Sequence, residues 1–437
     1  MIYNMKSTIV WFKTDLRLHD NETLIKAIEK NLPIVPVYCF DLSDYKKSVY
    51  GFNRMGNYRF KFLLESLTDL NTNLQKLGSG LIVRVGNPED ELIKVAQQYN
   101  AKYLFTKKEV AYNEIKLFEK VEQALWKINV ESFVLSTSTL YHANDLPFSI
   151  KDIPDVFTNF RKKVEKESAV RRVYDAPKLV QSPALDKFQL PTYANLGLAE
   201  PKFNVLTAVP FKGGETEGFK RLSDYLEGTR NVLNYKNTRN ELIGKDYSSK
   251  FSLWLSNGCI SAREIYWCLK KFESQFGSNE STYWLYFELL WRDFFRFMFK
   301  KHHQKYFSLY GLKQQSSNFL SQTNQSVELS DWINAQTASD FVNANMIELR
   351  ETGFMSNRGR QIVASYLIND LKVDWRYGAA YFEEQLVDYD VCSNWGNWAY
   401  LAGVGNDPRS NRYFDTTKQA ETYDRNGDYR KRWLRVS

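Results

Sequence analysis

A chain of 437 residues, 43% hydrophobic and 25% charged, has room for two or three domains and excludes a disordered or fibrous protein. Its four cysteines, Cys39, Cys259, Cys268 and Cys392, form no C-x-x-C pair and no metal-binding spacing, and their simplest reading is a reduced, cytoplasmic setting. A net charge of +8 permits an anionic partner such as nucleic acid without requiring one.

The first 135 residues alternate apolar runs with helical patterns. Strands are predicted at 7–12, 33–40, 80–86, 102–107 and 131–136, and helices at 21–30, 55–77, 89–99 and 112–127. Continuous apolar strands separated by helices predict a doubly wound, five-stranded parallel sheet over residues 1–137. Such sheets take ligands at the carboxyl ends of their strands.

Residues 138–212 are punctuated by Pro154, Pro177, Pro183, Pro191, Pro201 and Pro210, with helical periodicity only at 155–167. They read as an interdomain connector, and their length implies that it packs against its neighbours. From 213 to 437 the patterns are helical, at 215–228, 260–276, 281–303, 328–335, 337–351, 358–370 and 376–386, which predicts an all-α domain. No metal-binding spacing, Walker A loop, G-x-G-x-x-G or G-x-S-x-G is present, so an enzyme of this sequence would rely on a cofactor. The opening MIYNMKSTIVWF has no signal-peptide core, and no run reaches the length of a membrane span. A monomer without membrane association is expected.

Three stretches of the α domain do not read as packing alone. In YWLYFELLWRDFFRFMF (283–299), Glu288, Arg292 and Arg296 recur at i, i+4 and i+8, forming one polar stripe on a greasy helix. In DYSSKFSLWLSNGCIS (246–261), Ser248, Ser249 and Ser252 precede an apolar helical pattern, as either an ordinary N-cap or an anion site. Arg360, in TGFMSNRGRQ (352–361), has Asp388 and Asp390 of DYDVCSNWGNW (388–398) as alternative partners.

These tracts, with WFKTDLRLHDNETL (11–24), ELLWRDFFRF (288–297), YKNTRNELIG (235–244) and GVGNDPRSNRYF (403–414), resemble the photolyase/cryptochrome family and, within it, the DASH-type cryptochromes. The resemblance implies an N-terminal α/β domain and a helical domain that holds FAD, with the polar stripe facing the flavin cavity and its mouth. It matches Tyr235, Ser248, Ser249, Lys250, Phe251 and Ser252 to the segment around the FAD phosphates. Arg292, Asn357, Arg360, Asp388 and Asp390 match further FAD contacts, and Asn394 matches the side chain facing the redox-active ring nitrogen. Trp398 and Trp375 match the two inner members of a tryptophan chain that reduces the excited flavin, whereas Leu320 stands at the place of the outer one and implies slower photoreduction. Leu253 and the stretch NAQTASDF (334–341) also depart from the family pattern.

Glu288 and Trp291 match positions that meet a flipped-out DNA lesion, and Tyr400 replaces a second stacking tryptophan. Glu109, read as a carboxylate on a surface helix, matches a contact to a 5,10-methenyltetrahydrofolate antenna. The implied activity is blue or near-UV light-driven repair of cyclobutane pyrimidine dimers in single-stranded DNA. The alternative is a blue-light photoreceptor with little or no repair, and a further one is a flavin-containing nucleic-acid-binding protein with a vestigial light response. Receptors of this kind often carry a long disordered tail, and an ending at RKRWLRVS disfavours that alternative.

Overall fold

The predicted strands form because both faces of their sheet are covered, so that no polar alternation is needed. In the computed structural model, which describes residues 5–313, 326–406 and 412–435, the strands are β1 (Ser7–Phe12), β2 (Ile34–Asp41), β3 (Ile82–Gly86), β4 (Ala101–Lys107) and β5 (Glu131–Leu135). All pair in parallel, in the order β3-β2-β1-β4-β5, and Val10 in the middle of β1 faces Pro36 of β2 on one side and Phe105 of β4 on the other. Helices α1 (Glu22–Ile28), α2 (Asn57–Lys76), α3 (Pro88–Gln98) and α4 (Tyr112–Trp126) make the crossovers. Strand order reverses between β1 and β4, so the loops that leave these two strands border the crevice where an open α/β sheet takes its ligands.

The connector forms short 3-10 turns and α5 (Phe157–Glu167). Its extended parts send their backbone bonds into the sheet domain: Asp20 N–H donates to the Tyr174 carbonyl (2.8 Å), Ile34 N–H to Gln181 (2.8 Å) and Val180 N–H to Leu77 (2.9 Å). Partners supplied by other elements satisfy this backbone, so it needs no periodicity of its own.

The α domain contains α6 (Glu215–Ser223), α7 (Tyr235–Thr238), α8 (Ser252–Asn257), α9 (Ala262–Phe276), α10 (Glu280–His302), α11 (Ser326–Asn334), α12 (Asp340–Thr352), α13 (Asn357–Asn369), α14 (Trp375–Gln385), α15 (Val391–Leu401), α16 (Thr416–Tyr423) and α17 (Asp428–Leu434). The last three are absent from the predicted elements: α15 is apolar nearly all round, and α16 and α17 are short and charge-rich. Helix α10 starts on a reciprocal capping box between Asn279 and Thr282. Helix α15 lies against it at Gly396, where a Cβ would stand 2.3 Å from the Phe295 ring. The two domains meet as tightly at Gly258 (φ +67°), where a Cβ would stand 2.0 Å from the Thr14 carbonyl oxygen. Among the described residues, no helix is long and apolar enough to cross a membrane.

Candidate functional site

The polar stripe of α10 meets three different surroundings. Glu288 forms an ion pair with Arg239, just beyond α7, and burial raises its carboxyl above the usual range against the pull of that guanidinium. Arg292 donates to the Ser138 carbonyl at 2.6 Å and the Leu255 carbonyl at 3.5 Å, while its Nε is sealed from solvent without a partner. Arg296, buried, reaches Glu109 Oε2 through Nη2 and Asp390 Oδ2 through Nη1, both at 3.0 Å. Off the stripe, Asp293 accepts from the Leu140 and Tyr141 N–H groups at 2.9 Å, and burial still pushes its carboxyl up to about 7.

Helix α15 packs on α10, and the N-terminal end of α13 reaches the segment that leads into α15. Arg360 donates to both oxygens of Asp388, at 2.9 and 3.0 Å, so the alternative partner Asp390 is not the one it takes. Asp390 instead caps α15, accepting from the Ser393 N–H and hydroxyl at 2.8 Å. Burial works against its charge, yet Arg296 and Arg292 hold its carboxyl below the usual range. One turn on, Asn394 Nδ2 donates to the Ala379 carbonyl at 2.9 Å, which leaves the amide oxygen for a ligand. Asn357, the first residue of α13, is exposed.

Trp398 and Trp375 are both buried; Trp398 packs on Phe382 (centroids 5.1 Å apart) and Trp332 (6.2 Å), and Trp375 packs on Trp395 (5.9 Å). Leu320 lies outside the described residues, as do residues 407–411.

In the segment 246–252, the serines do not cap α8: Phe251 occupies that position and makes no side-chain cap bond, and Ser252 is exposed. Arg221 shapes the segment from α6, its guanidinium donating to the Ser249 carbonyl at 3.1 Å and the Ser248 carbonyl at 3.3 Å. Lys250 follows in a left-handed conformation (φ +61°), 3% exposed, with no hydrogen-bond partner for its ammonium. Burial pulls that ammonium well below the usual lysine range. A buried cation with no anion to meet it is costly unless a ligand brings one. Tyr235 is buried at the start of α7.

On the outer side, Trp291 stacks on Phe157 of α5 (centroids 3.7 Å apart, interplanar angle 12°) and meets the Tyr400 ring edge-on at 6.0 Å. Tyr400 in turn accepts a hydrogen bond from Arg412. Arg221, Arg239 and Phe157 escape sequence reasoning, because nothing local in their segments marks them.

Glu109 is not on a surface helix. It lies in the loop between β4 and α4, buried, with Oε1 taken by Lys107 at 2.9 Å and Thr14 Oγ1 at 3.0 Å, and Oε2 by Arg296. The isolated sequence offers Glu109 no visible partner, since Arg296 is 187 residues away. In the same crevice, Glu114 keeps one carboxyl oxygen sealed without a partner, and burial, followed by the charge of Glu109, raises its carboxyl. Among the described residues no cluster of His, Cys, Asp or Glu could hold a metal ion.

Two family descriptions match the chain: DNA photolyase over residues 8–183, and the FAD binding domain of DNA photolyase over residues 284–436. The chain is 45% identical over 430 residues to "Cryptochrome DASH" of Gloeobacter violaceus, covering 98% of this chain and 85% of that protein. Its fold superposes on a Synechocystis cryptochrome crystal structure with a TM-score of 0.94 at 44% identity, covering 100% of this chain and 90% of the other. A class III photolyase structure from Agrobacterium tumefaciens follows at a TM-score of 0.84 and 26% identity, covering 99% and 87%. FAD is the cofactor of this domain type. The Lys250 ammonium, which lies over the Tyr247 and Phe354 rings but has no hydrogen-bond acceptor, and the Arg292 Nε without a partner suit its diphosphate and its polar ring atoms. Sequence, fold and cofactor chemistry agree: the chain belongs to the photolyase/cryptochrome family, within its DASH cryptochromes.

Proposed function

We propose that this chain is a light-driven lyase that splits cyclobutane pyrimidine dimers, prefers single-stranded DNA and acts as a monomer. When bound, FAD supplies the electron, delivered under blue or near-UV light and recovered after the dimer opens. The residues bind, orient and exclude water. Lys250 would meet the diphosphate, with Tyr235, Ser248, Ser249, Phe251 and Ser252 around it. Arg292, Asn357, Arg360, Asp388 and Asp390 would hold the ring and ribose side. Asn394, its amide fixed on Ala379, would offer its oxygen to the ring nitrogen when that nitrogen carries a proton. Trp398 and Trp375 would pass electrons inward.

The observation that carries the reading is the division of α10. Within about two turns it presents Glu288 to Arg239 and Trp291 to Tyr400, and then Arg296 to Asp390 at the cap of α15. One helix would therefore hold lesion and flavin side by side. Trp291 offers a platform braced by Phe157, and Glu288 a carboxyl that burial inclines to keep its proton for the lesion. The lesion must leave its stack, which costs least in single strands. Tyr400, smaller than tryptophan and tied to Arg412, favours such easily extruded bases.

A 5,10-methenyltetrahydrofolate antenna would sit by the strand ends at Glu109, whose carboxylate has acceptor capacity beyond its three partners.

The test is repair of a defined dimer in single-stranded and duplex DNA by pre-reduced protein under light. Repair that is much faster in single strands is expected. Equal repair in both would sink the strand preference, and none in either would favour a photoreceptor.

A further inference from the structure

In an open α/β sheet the crevice at the reversal of strand order is the usual ligand site. Here part of that crevice is filled by an interdomain lock. Glu109, just after β4, ties the loop after β1 through Thr14 and grips Arg296 of α10 at 3.0 Å. The other side of the Arg296 guanidinium holds Asp390 at 3.0 Å, and Asp390 caps the helix that carries Asn394 one turn later. Glu109 and Arg296 are buried, and Thr14 and Asp390 are half-buried at the two ends of the chain of contacts. A planar guanidinium forked between two carboxylates has little freedom to re-aim. The position of the α15 cap is therefore set from the α/β domain as well as from its own.

We infer that Glu109 is a positioning residue for the flavin-facing end of α15, acting through Arg296 and Asp390. The inference rests on the placement of FAD beside α15 proposed above, and not on dimer repair. Removing the Glu109 charge leaves Arg296 less compensated and free to turn toward Asp390. The neighbourhood of the bound flavin becomes more positive, which favours its reduced form.

The experiment measures the two-electron midpoint potential of FAD-loaded protein prepared free of folate. Glu109→Gln is expected to raise the potential by about 30 mV, a tenfold change in the reduced-to-oxidised ratio, with the FAD content retained. Thr14→Val, which loosens the same loop but leaves the Glu109–Arg296 pair, should not move it. If Glu109→Gln fails to fold, Glu109→Asp keeps the charge on a shorter arm and should shift the potential the same way by less. An unmoved potential in the folded variant overturns the inference. So does an equal shift in Thr14→Val, which would mean general loosening, or a shift seen only with folate bound, which would mean that Glu109 acts through the antenna. Asn394→Ala separates the layers. If it leaves the potential unmoved, the placement of FAD beside α15 falls and the coupling with it. If it shifts the potential while Glu109→Gln does not, the coupling alone falls.

Discussion

The two arginines of the stripe on α10 use charge in opposite ways. At the inner end Arg296 is saturated, with two carboxylates on one guanidinium, both from other elements. Four residues earlier Arg292 finds only carbonyl oxygens and keeps a sealed Nε unmatched. Both are arginines on one helix face. A charge whose partners are complete holds the fold together, whereas a charge left incomplete inside the protein awaits a ligand.

The difference is broken most severely at the saturated end. Arg296→Met strands Glu109 and Asp390 without their shared cation. Breaking a buried pair in this way costs about 3–5 kcal/mol, to be read from denaturant unfolding with and without FAD. If the loss were small without FAD, the pair would not be a lock. Arg292→Ala should cost less unfolding stability without FAD than Arg296→Met, because it strands only the Ser138 and Leu255 carbonyls and no opposite charge. A hydrogen bond to a charged group is worth about 1.5–3 kcal/mol, so FAD should bind roughly ten- to a hundredfold more weakly, as followed by flavin fluorescence titration.

At the outer end Trp291→Ala should spare FAD and weaken binding of dimer-containing single strands. Stacking of a base on an aromatic ring is worth about 1–3 kcal/mol, and electrophoretic titration would show it. Phe157→Leu keeps most of the buried volume but removes the ring that braces Trp291. An aromatic pair adds about 0.5–1.5 kcal/mol beyond burial, so lesion affinity should fall by several-fold at most; no change would mean that the platform needs no brace.

The smallest effect concerns pH at the interdomain lock. The folded state raises the Glu114 carboxyl, through burial and then Glu109, so it retains a proton that the unfolded chain releases above about pH 4.3. Stability from this group therefore falls as pH rises through that range. Asp390, held low by Arg296 and Arg292 despite burial, acts in the opposite sense and loses stability in acid. Melting temperatures between about pH 5 and about pH 8 should slope less in Glu114→Gln than in the unmutated protein. An unchanged slope would place the titration elsewhere.

Much of the molecule is written locally. The five strands and α10 follow from runs of apolar residues and their period, because burial on both faces of a sheet or around a helix leaves its mark on consecutive residues. The residues proposed to meet FAD and the lesion are reachable through tracts such as ELLWRDFFRF and DYDVCSNWGNW. Helix α15 leaves no such mark, because a segment buried nearly all round shows no amphipathic period.

What only the tertiary structure decided is which charges meet. Arg360 takes Asp388 and leaves Asp390 to Arg296, 94 residues away in sequence, and Glu109 is drawn from an assumed surface into an interdomain lock. Spacing can put three charges on one face of a helix. It cannot say what stands opposite, because a buried charge takes the partner that the packing of distant elements brings within about 3 Å of it.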